Sequence, residues 1–207
     1  MKMYSIQLES MPASPITFGR YHGAPKKATE SHDAYEERTC MERAHFDETD
    51  SVFIPPNMLK NALVEAAKYL SEKIPGKGQQ TYGKKFMGGV SVTDPIMLGI
   101  KKKALEPDKV FVPADGTAGG GKRVWRTFPM LKQWKGVAKI YVLDEESINE
   151  AALMRVLTAC GQYIGLGTFR PAKNGYHGRF TAKIVKNGKN GKNGKNGKNG
   201  NGATAEE

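Results

Sequence analysis

The chain is poor in cysteine, in long apolar runs and in residues spaced as metal ligands. Of its 207 residues only two are cysteine, Cys40 and Cys160, and they stand far apart. Two isolated thiols argue against a disulfide framework and favour a reducing, cytoplasmic setting. No stretch approaches the roughly 20 consecutive apolar residues of a membrane-spanning helix, and the N-terminal segment lacks the apolar run of a signal peptide.

The signatures of common catalytic sites are absent as well. The sequence contains neither a phosphate-binding P-loop nor a Ser–His–Asp signature nor a dinucleotide fingerprint. Its four histidines, His22, His32, His45 and His177, are scattered and have no paired spacing, so we interpret them as surface or loop residues. We therefore expect no enzyme, no cofactor and no metal site.

The basic charge is concentrated in one part of the chain. The net charge is +11, and residues 73–135 alone carry 13 basic and 4 acidic side chains, a local net charge of +9. Residues 1–72 are slightly acidic, with a net charge of −3. A concentrated excess indicates a polyanionic partner, and we favour nucleic acid over an acidic protein face, which would satisfy the same charge.

A glycine-rich loop at 165–180 combines the features of a nucleic-acid contact. Its sixteen residues include four glycines, two arginines, one lysine and three aromatic residues. Glycines let the backbone approach a partner closely, and outward N–H groups in such a loop bind anions. The arginines supply charge, and the aromatic rings offer stacking faces for bases. An ordinary loop before an edge strand is the alternative interpretation.

The first half of the chain predicts a strand, a long loop, a second strand and a helix. Alternating apolar residues predict a strand over 3–10, which Ile16–Phe18 extends or follows, and a loop rich in glycine, proline and charge comes next. Val52–Ile54 is typical of a short buried strand. A helix with one apolar face begins near Asn57, with that residue as its cap, and ends before Pro75.

The second half predicts a β-rich insertion followed by regular structure. Residues 75–130 contain many glycines and prolines between short strand-like pieces at 89–93, 96–100, 110–112 and 124–128. A strand over 136–143, a helix capped by a Ser147–Glu150 capping box and a strand over 179–185 follow. The order βαββαβ is typical of an α+β, ferredoxin-like or RRM-like core.

Three segments together resemble a known family. Ser14–Gly19 follows the first strand, Phe53–Leu63 opens the first helix, and the glycine loop 165–178 precedes the last strand. They resemble the RAMP superfamily, in particular the repeated backbone subunit of CRISPR effector complexes, or a stand-alone or phage-borne relative. Where that family tends to have Gly-Ser at the helix entry, this chain has Pro56-Asn57.

The resemblance implies a fold, a function and partners. It implies one RRM-like domain over 1–185, in which the β-rich insertion at about 75–130 is a large hairpin called the thumb. It also implies a protein of antiviral defence that coats single-stranded guide RNA independently of sequence and forms a homo-oligomeric filament, with other effector subunits as partners. The Lys-Asn-Gly repeat at 186–207 is a tail that we expect to be disordered.

Charge, loop chemistry and the resemblance together predict a set of nucleic-acid-binding residues. Helix entry, insertion and glycine loop each contribute basic or backbone contacts to phosphates. The predicted residues are Arg20, Asn57, Lys60, Lys84, Lys85, Lys101, Lys102, Lys103, Lys122, Arg123, Arg126, Gly165, Gly167, Phe169, Arg170, Lys173, Tyr176 and Arg179. For each basic run taken alone, a solvated surface is the alternative. Trp125 and Trp134 are interpreted as core residues.

Three other functions remain open at this point. A phage-type single-stranded DNA-binding protein of replication or recombination fits the same charge. An assembly protein whose basic insertion meets an acidic protein partner also fits. Some members of the family cut target RNA with a loop aspartate, and the loop candidates for such a ribonuclease are Asp33, Asp47, Asp50 and Asp94.

Overall fold

The structure, a computed structural model, describes residues 1–114 and 121–185. The predicted tail at 186–207 and the 115–120 part of the predicted insertion lie outside these residues. The described residues form an α+β fold of strands, mostly antiparallel, and helices. The strands are β1 (Lys2–Ser10), β2 (Ile16–Thr17), β3 (Ser51–Ile54), β4 (Val90–Ser91), β5 (Ile96–Lys101), β6 (Glu106–Pro113), β7 (Arg123–Leu131), β8 (Lys135–Val142) and β9 (Phe180–Ile184). The α-helices are α1 (His32–Thr39), α2 (Pro56–Leu70), α3 (Tyr82–Gly89) and α4 (Glu150–Ala159).

The largest sheet joins the two ends of the described chain. Its strand order is β4-β8-β1-β9, and every neighbouring pair is antiparallel. Tyr4, Ile6 and Leu8 of β1 alternate with more exposed residues and face the core, as period-two patterning requires. Ile6 lies opposite Ala138 of β8 and Ile184 of β9, so β1 forms the centre of the sheet.

Two amphipathic helices supply the other side of the hydrophobic core. In α2 the buried residues recur at three- and four-residue spacing, and in α4 they do the same. Their side chains join those of β1 and β8 in one cluster. The C-terminal end of α4 continues as a π-helical turn, Cys160–Ile164, which leads into the glycine loop.

The starts of both helices differ from the sequence prediction. Helix α2 begins at Pro56 with Pro55 as its cap residue, so Asn57 is the second helical residue rather than the cap. Proline is favoured at a first helical position because its missing N–H needs no partner there. The predicted Ser147–Glu150 capping box is wrong, because Asn149 is the cap of α4 and its side chain accepts the Ala152 N–H at 2.9 Å.

The segment predicted as a β-rich insertion contains one hairpin, two further strands and a helix. Strands β6 and β7 form a hairpin that β2 extends, and β5 pairs with β3. The sequence prediction missed α3, because Gly83, Gly88 and Gly89 lower its helix propensity. What stabilises this helix is tertiary packing, since Tyr82 and Phe86 lie one turn apart and are both buried.

Among the described residues, none of the helices combines the length and the apolar character needed to cross a membrane.

Candidate nucleic-acid interface

The glycine loop is bonded to the segment that follows the first strand. The Thr168 N–H donates to the Thr17 carbonyl at 3.0 Å, and the Gly178 N–H donates to the Pro15 carbonyl at 2.7 Å. Ser14 Oγ accepts the Arg179 N–H at 2.8 Å. Two of the three segments that carry the family resemblance therefore form one structural unit, although the bonded residues are 151 to 165 positions apart in sequence.

Two glycines of this loop allow the close approach. Gly167 and Gly178 both have positive φ, at 87° and 73°. A Cβ on Gly167 would lie 2.5 Å from the Thr17 carbonyl oxygen, and one on Gly178 would lie 1.7 Å from that of Leu166. No other residue type fits either position, because both the backbone angle and the available space exclude a side chain. Their role in the structure is to fix the loop.

A groove of about 290 Å³ lies between the loop and the first turns of α2. Asn57 and Asn61, one turn apart on the helix, line one side, and Gly165 and Arg170 line the other. The cap residue of α2 makes no side-chain hydrogen bond, and its first turn carries no acidic side chain. The positive end of the helix dipole is therefore open towards the groove, an arrangement that favours an anion.

The two arginines of the loop have different surroundings. The Arg170 guanidinium reaches across to α2, where Nη2 donates to Glu65 Oε2 at 3.2 Å. Arg179 instead donates from Nε to the Gln162 carbonyl at 3.1 Å and from Nη1 to the Tyr176 carbonyl at 3.2 Å. Arg170 thus faces the groove, whereas Arg179 ties the loop to the π-helical turn.

Phe46, which follows the groove residue His45 in sequence, has two cations near its ring. The Lys102 ammonium is 4.0 Å from the centroid of the Phe46 ring, and the Arg20 guanidinium is 6.0 Å from it. Lys102 also pairs with Glu42 at 2.7 Å. His45, which precedes Phe46, lines the groove, and burial together with the charge of Arg20 lowers its pKa. Basic and aromatic side chains therefore lie together in the segment that contributes His45 to the groove wall.

Three of the predicted lysines make specific contacts within the protein. Lys60 Nζ donates to the carbonyls of Phe86 and Met87 at the end of α3, and burial lowers its pKa. Lys85 pairs with Asp144 at 3.0 Å. Lys101 Nζ donates to the Thr49 carbonyl at 2.7 Å. These contacts hold neighbouring segments together and leave fewer donors for a phosphate.

Outside the β6–β7 hairpin, four other predicted cations are exposed and make no ion pair with the residues that the structure describes. They are Arg20, Lys84, Lys103 and Lys173. Lys103 follows Lys102 directly, and Lys173 belongs to the glycine loop. Such side chains retain all their donors for a phosphate backbone.

The β6–β7 hairpin places the remaining predicted cations beside an exposed aromatic pair. Phe111 and Trp125 are cross-strand partners whose ring centroids are 5.1 Å apart, and each is about half exposed. The Arg123 guanidinium lies 5.6 Å from the Phe111 centroid. Arg126 faces Glu36 at 3.7 Å, and Lys122 is exposed. Trp125 is thus not a core residue, contrary to the sequence interpretation.

The other aromatic residues separate into core and surface. Trp134 is buried, as predicted. Phe169 packs edge-on against Phe128 at 5.1 Å and against His177 at 5.8 Å, so its ring supports the loop. Tyr176 is 63% exposed and presents its ring to solvent.

Sequence reasoning missed four residues: His45 and Asn61 line the groove, Glu65 accepts from Arg170, and Phe46 follows His45 in sequence. Asn61 and Glu65 follow Asn57 at intervals of four on α2, so helical periodicity alone would have placed them on its face. His45 and Phe46 lie in an irregular segment, and no sequence pattern pointed to them. Within residues 1–114 and 121–185, no group of three or more His, Cys, Asp or Glu side chains is placed to hold a metal ion.

Comparison with known proteins gives matches among solved structures only. No family model and no curated protein matches the chain. A chain of the type III-B Cmr-beta complex bound to cognate target RNA is 14% identical, with a TM-score of 0.48, over 89% of this chain and 61% of its own length. A chain of a type IV-B CRISPR complex is 13% identical, with a TM-score of 0.47, over 89% and 90%. A chain of a CRISPR RNA-guided surveillance complex is 11% identical, with a TM-score of 0.36, over 83% and 65%.

Proposed function

We propose that the protein binds single-stranded RNA independently of sequence, as a guide-RNA backbone subunit that oligomerises along the strand. The observation that carries the proposal is the groove between α2 and the glycine loop. There Arg170, a helix start without a side-chain cap and the amides of Asn57 and Asn61 converge. His45 of the groove wall is followed in sequence by Phe46, and the Lys102 ammonium lies over the Phe46 ring. A sugar–phosphate strand offers the negative charge and the planar bases that such a surface accommodates.

We propose further that the core is ferredoxin-like, or RRM-like. The strand order β4-β8-β1-β9 supports this, with α2 between β1 and β4 and α4 between β8 and β9. Numbered within the core alone, this order is 2-3-1-4, as expected of a βαββαβ unit. In this proposal the β6–β7 hairpin is the thumb, and its cations Lys122, Arg123 and Arg126 contact RNA backbone.

Binding without catalysis is part of the proposal. Three of the four aspartates considered for a ribonuclease have side-chain partners in the protein, and one of the three, Asp33, lies in α1 rather than in a loop. Asp33 pairs with Lys109 at 3.2 Å, and Asp94 pairs with Lys139 at 2.9 Å. Asp47 accepts the Thr49 N–H at 2.8 Å. Carboxylates engaged in this way are structural, and the expected result of adding Mg²⁺ to the protein–RNA complex is intact RNA.

The first experiment is purification of the untagged protein from its own host at low salt, followed by sequencing of the nucleic acid that accompanies it. Discrete RNAs with a shared repeat-derived end support a guide-binding subunit. Heterogeneous RNA or single-stranded DNA supports a general strand-coating protein. Protein free of nucleic acid contradicts the proposal and favours an assembly role with an acidic protein partner.

Binding assays on variants then test the surface itself. Single-stranded RNA and DNA of the same sequence serve as probes, since contacts to the 2′-hydroxyl favour RNA. We expect Lys103→Ala to weaken binding and to flatten the dependence of log K on log salt by about 0.7, the value for one phosphate contact on a single strand. Lys139→Ala is the matched control, because it removes the same charge from an ion pair on the large sheet. Equal effects of the two substitutions would refute the proposed surface.

A further inference from the structure

An ion pair between Arg170 of the glycine loop and Glu65 of α2 lies next to the groove. Asn57, Asn61 and Glu65 follow one another at intervals of four on α2 and so form one stripe on its surface. Asn57 and Asn61 line the groove with Arg170. Glu65, one turn further on, receives the guanidinium of Arg170 and lines the adjoining groove with Lys60 and Lys68. A carboxylate thus stands where the first groove meets the second.

The hydrogen bonds of Arg170 are incomplete in this arrangement. Nη2 donates to Glu65 Oε2 at 3.2 Å, and Nη1 reaches the Gly167 carbonyl only at 3.5 Å. The Nε–H is buried and has no partner within the described residues. A guanidinium binds an oxyanion best through two parallel N–H groups, and Glu65 uses only one of them. The contact is therefore a poor version of the pairing that arginine makes with a phosphate.

Both side chains of the pair are also partly exposed, so that a ligand in solution can replace Glu65 on Arg170. The side chain of Arg170 is 27% exposed and that of Glu65 is 40% exposed. Ion pairs at this exposure contribute little, because water screens both charges. Lys60, which lines the adjoining groove with Glu65, donates to the Phe86 and Met87 carbonyls. When Arg170 leaves, Lys68 at the i+3 position is the cation within reach of the Glu65 carboxylate.

We propose that the Glu65 carboxylate occupies, on Arg170, the position of a nucleic-acid phosphate, and that a bound strand displaces it. This inference rests on the proposed function and adds a residue that sets its strength. In the free protein Glu65 neutralises Arg170 and holds it beside the groove. A phosphodiester takes over Arg170 through two N–H groups, and the Glu65 carboxylate turns to Lys68. Affinity is thereby held below what the basic residues alone would give.

The proposal predicts a gain of binding from removal of one acidic charge. Glu65→Gln keeps the size and the hydrogen-bond acceptor but removes the charge, and we expect three- to fivefold tighter binding of a single-stranded RNA oligonucleotide at low salt. In the wild type, the phosphate contact of Arg170 releases a counterion from the RNA, but the same step breaks the Arg170–Glu65 ion pair. The two changes act in opposite directions on the salt dependence of binding. The variant lacks this offset, so its salt dependence is steeper by about 0.7.

Two controls separate this effect from a general increase in positive charge. Glu72→Gln removes the same charge from another Glu–Arg pair, in which Arg155 Nε lies 3.0 Å from Glu72 Oε2. We expect that variant to gain much less than Glu65→Gln does, because Glu72 lines neither groove and its charge acts on the RNA only at long range. In an Arg170→Ala background, Glu65→Gln is expected to give no gain.

The outcomes are distinguishable from one another. Tighter binding and a steeper salt slope for Glu65→Gln alone, lost without Arg170, support the exchange. If Glu65→Gln binds RNA no more tightly than the wild type, or gains only as much as Glu72→Gln, this inference is overturned and the proposed function stands. Absence of RNA and DNA binding by both the wild type and Glu65→Gln at low salt overturns both.

Discussion

The carboxylate of Glu36 accepts the backbone N–H of Thr127 at 3.2 Å, which ties helix α1 to strand β7 of the hairpin. The same carboxylate binds Arg43 Nη2 at 2.9 Å and is only 3% exposed. A buried charge is tolerated when it is paired and hydrogen-bonded, and both conditions hold here. In a segment for which the sequence predicted a charged loop, Glu36 lies in helix α1 and makes a buried structural contact.

Replacement of Glu36 is expected to destabilise the protein strongly. Glu36→Ala leaves the nearly buried Arg43 without its carboxylate and the Thr127 N–H without its acceptor. Loss of one partner of a buried pair costs about 3–5 kcal/mol of unfolding free energy. Urea unfolding measures this loss. Glu37→Ala, at the exposed neighbouring position, is the control and is expected to change stability by about 0.5 kcal/mol or less.

The glycine loop gives a second prediction about stability. Gly178→Ala forces a side chain into a left-handed backbone and against the Leu166 carbonyl. Strained backbone and overpacking each cost about 1–3 kcal/mol, so we expect a loss of about 2–4 kcal/mol. RNA binding should fall too, since the loop positions Arg170. Gly23→Ala, where no atom lies within 4 Å of the new Cβ, should behave as the wild type, and similar losses for both variants would contradict this account.

Substitutions of the two loop arginines are expected to have different effects, one on RNA binding and the other on stability. Arg170→Ala is expected to weaken single-stranded RNA binding about tenfold at low salt, with little effect on unfolding. Arg179→Ala removes two hydrogen bonds to carbonyls and should cost about 1–2 kcal/mol of stability. Binding titrations and urea unfolding on both variants test this division. The reverse pattern would assign the phosphate contact to Arg179.

Much of the fold follows from local sequence patterns. The alternation of apolar residues in β1 and β8 and the apolar face of α2 each reflect burial on one side, which period-two and period-3.6 patterns report directly. Prediction failed at α3 and at the cap of α4. In α3, packing of Tyr82 and Phe86 outweighs the glycines, and in α4 the choice among neighbouring polar residues depends on the preceding turn.

The site was predictable in part, for a similar reason. The glycine loop has a local signature, so Arg170 could be selected from the sequence. Helical spacing places Glu65 on the same face as Asn57, but neither its role nor that of Phe46 could be predicted. Each role arises from a contact with a residue distant in the chain, Arg170 for Glu65 and Lys102 for Phe46. Nor does sequence distinguish Arg170 from Arg179, since the partners of both are fixed only by the folded loop.

Stability should fall as the solution is acidified from pH 7.5 to 5, because two histidines are held in environments that favour their neutral form. Burial lowers the pKa of His177, which lies 3.4 Å from Thr17 Oγ1, and burial and Arg20 lower the pKa of His45. Their pKa in the unfolded chain is about 6.5. Between that value and the lower folded pKa, the unfolded chain binds more protons, so acid favours unfolding. The contribution is fully present above pH of about 6.5 and is lost as the pH falls through the folded pKa.

Urea unfolding at several pH values checks this dependence, and His177→Gln should remove part of the slope between pH 7 and 5. Exposed His32 provides the control position, where substitution by Gln should leave the slope unchanged. The carboxyl groups of Asp47, Asp94 and Asp144 do not produce the effect, because hydrogen bonds and nearby lysines hold their pKa values below the usual 3.8. Their protonation destabilises the fold only at still lower pH. Stability that rises on acidification in this window would mean that the histidines gain, rather than lose, favourable interactions when charged.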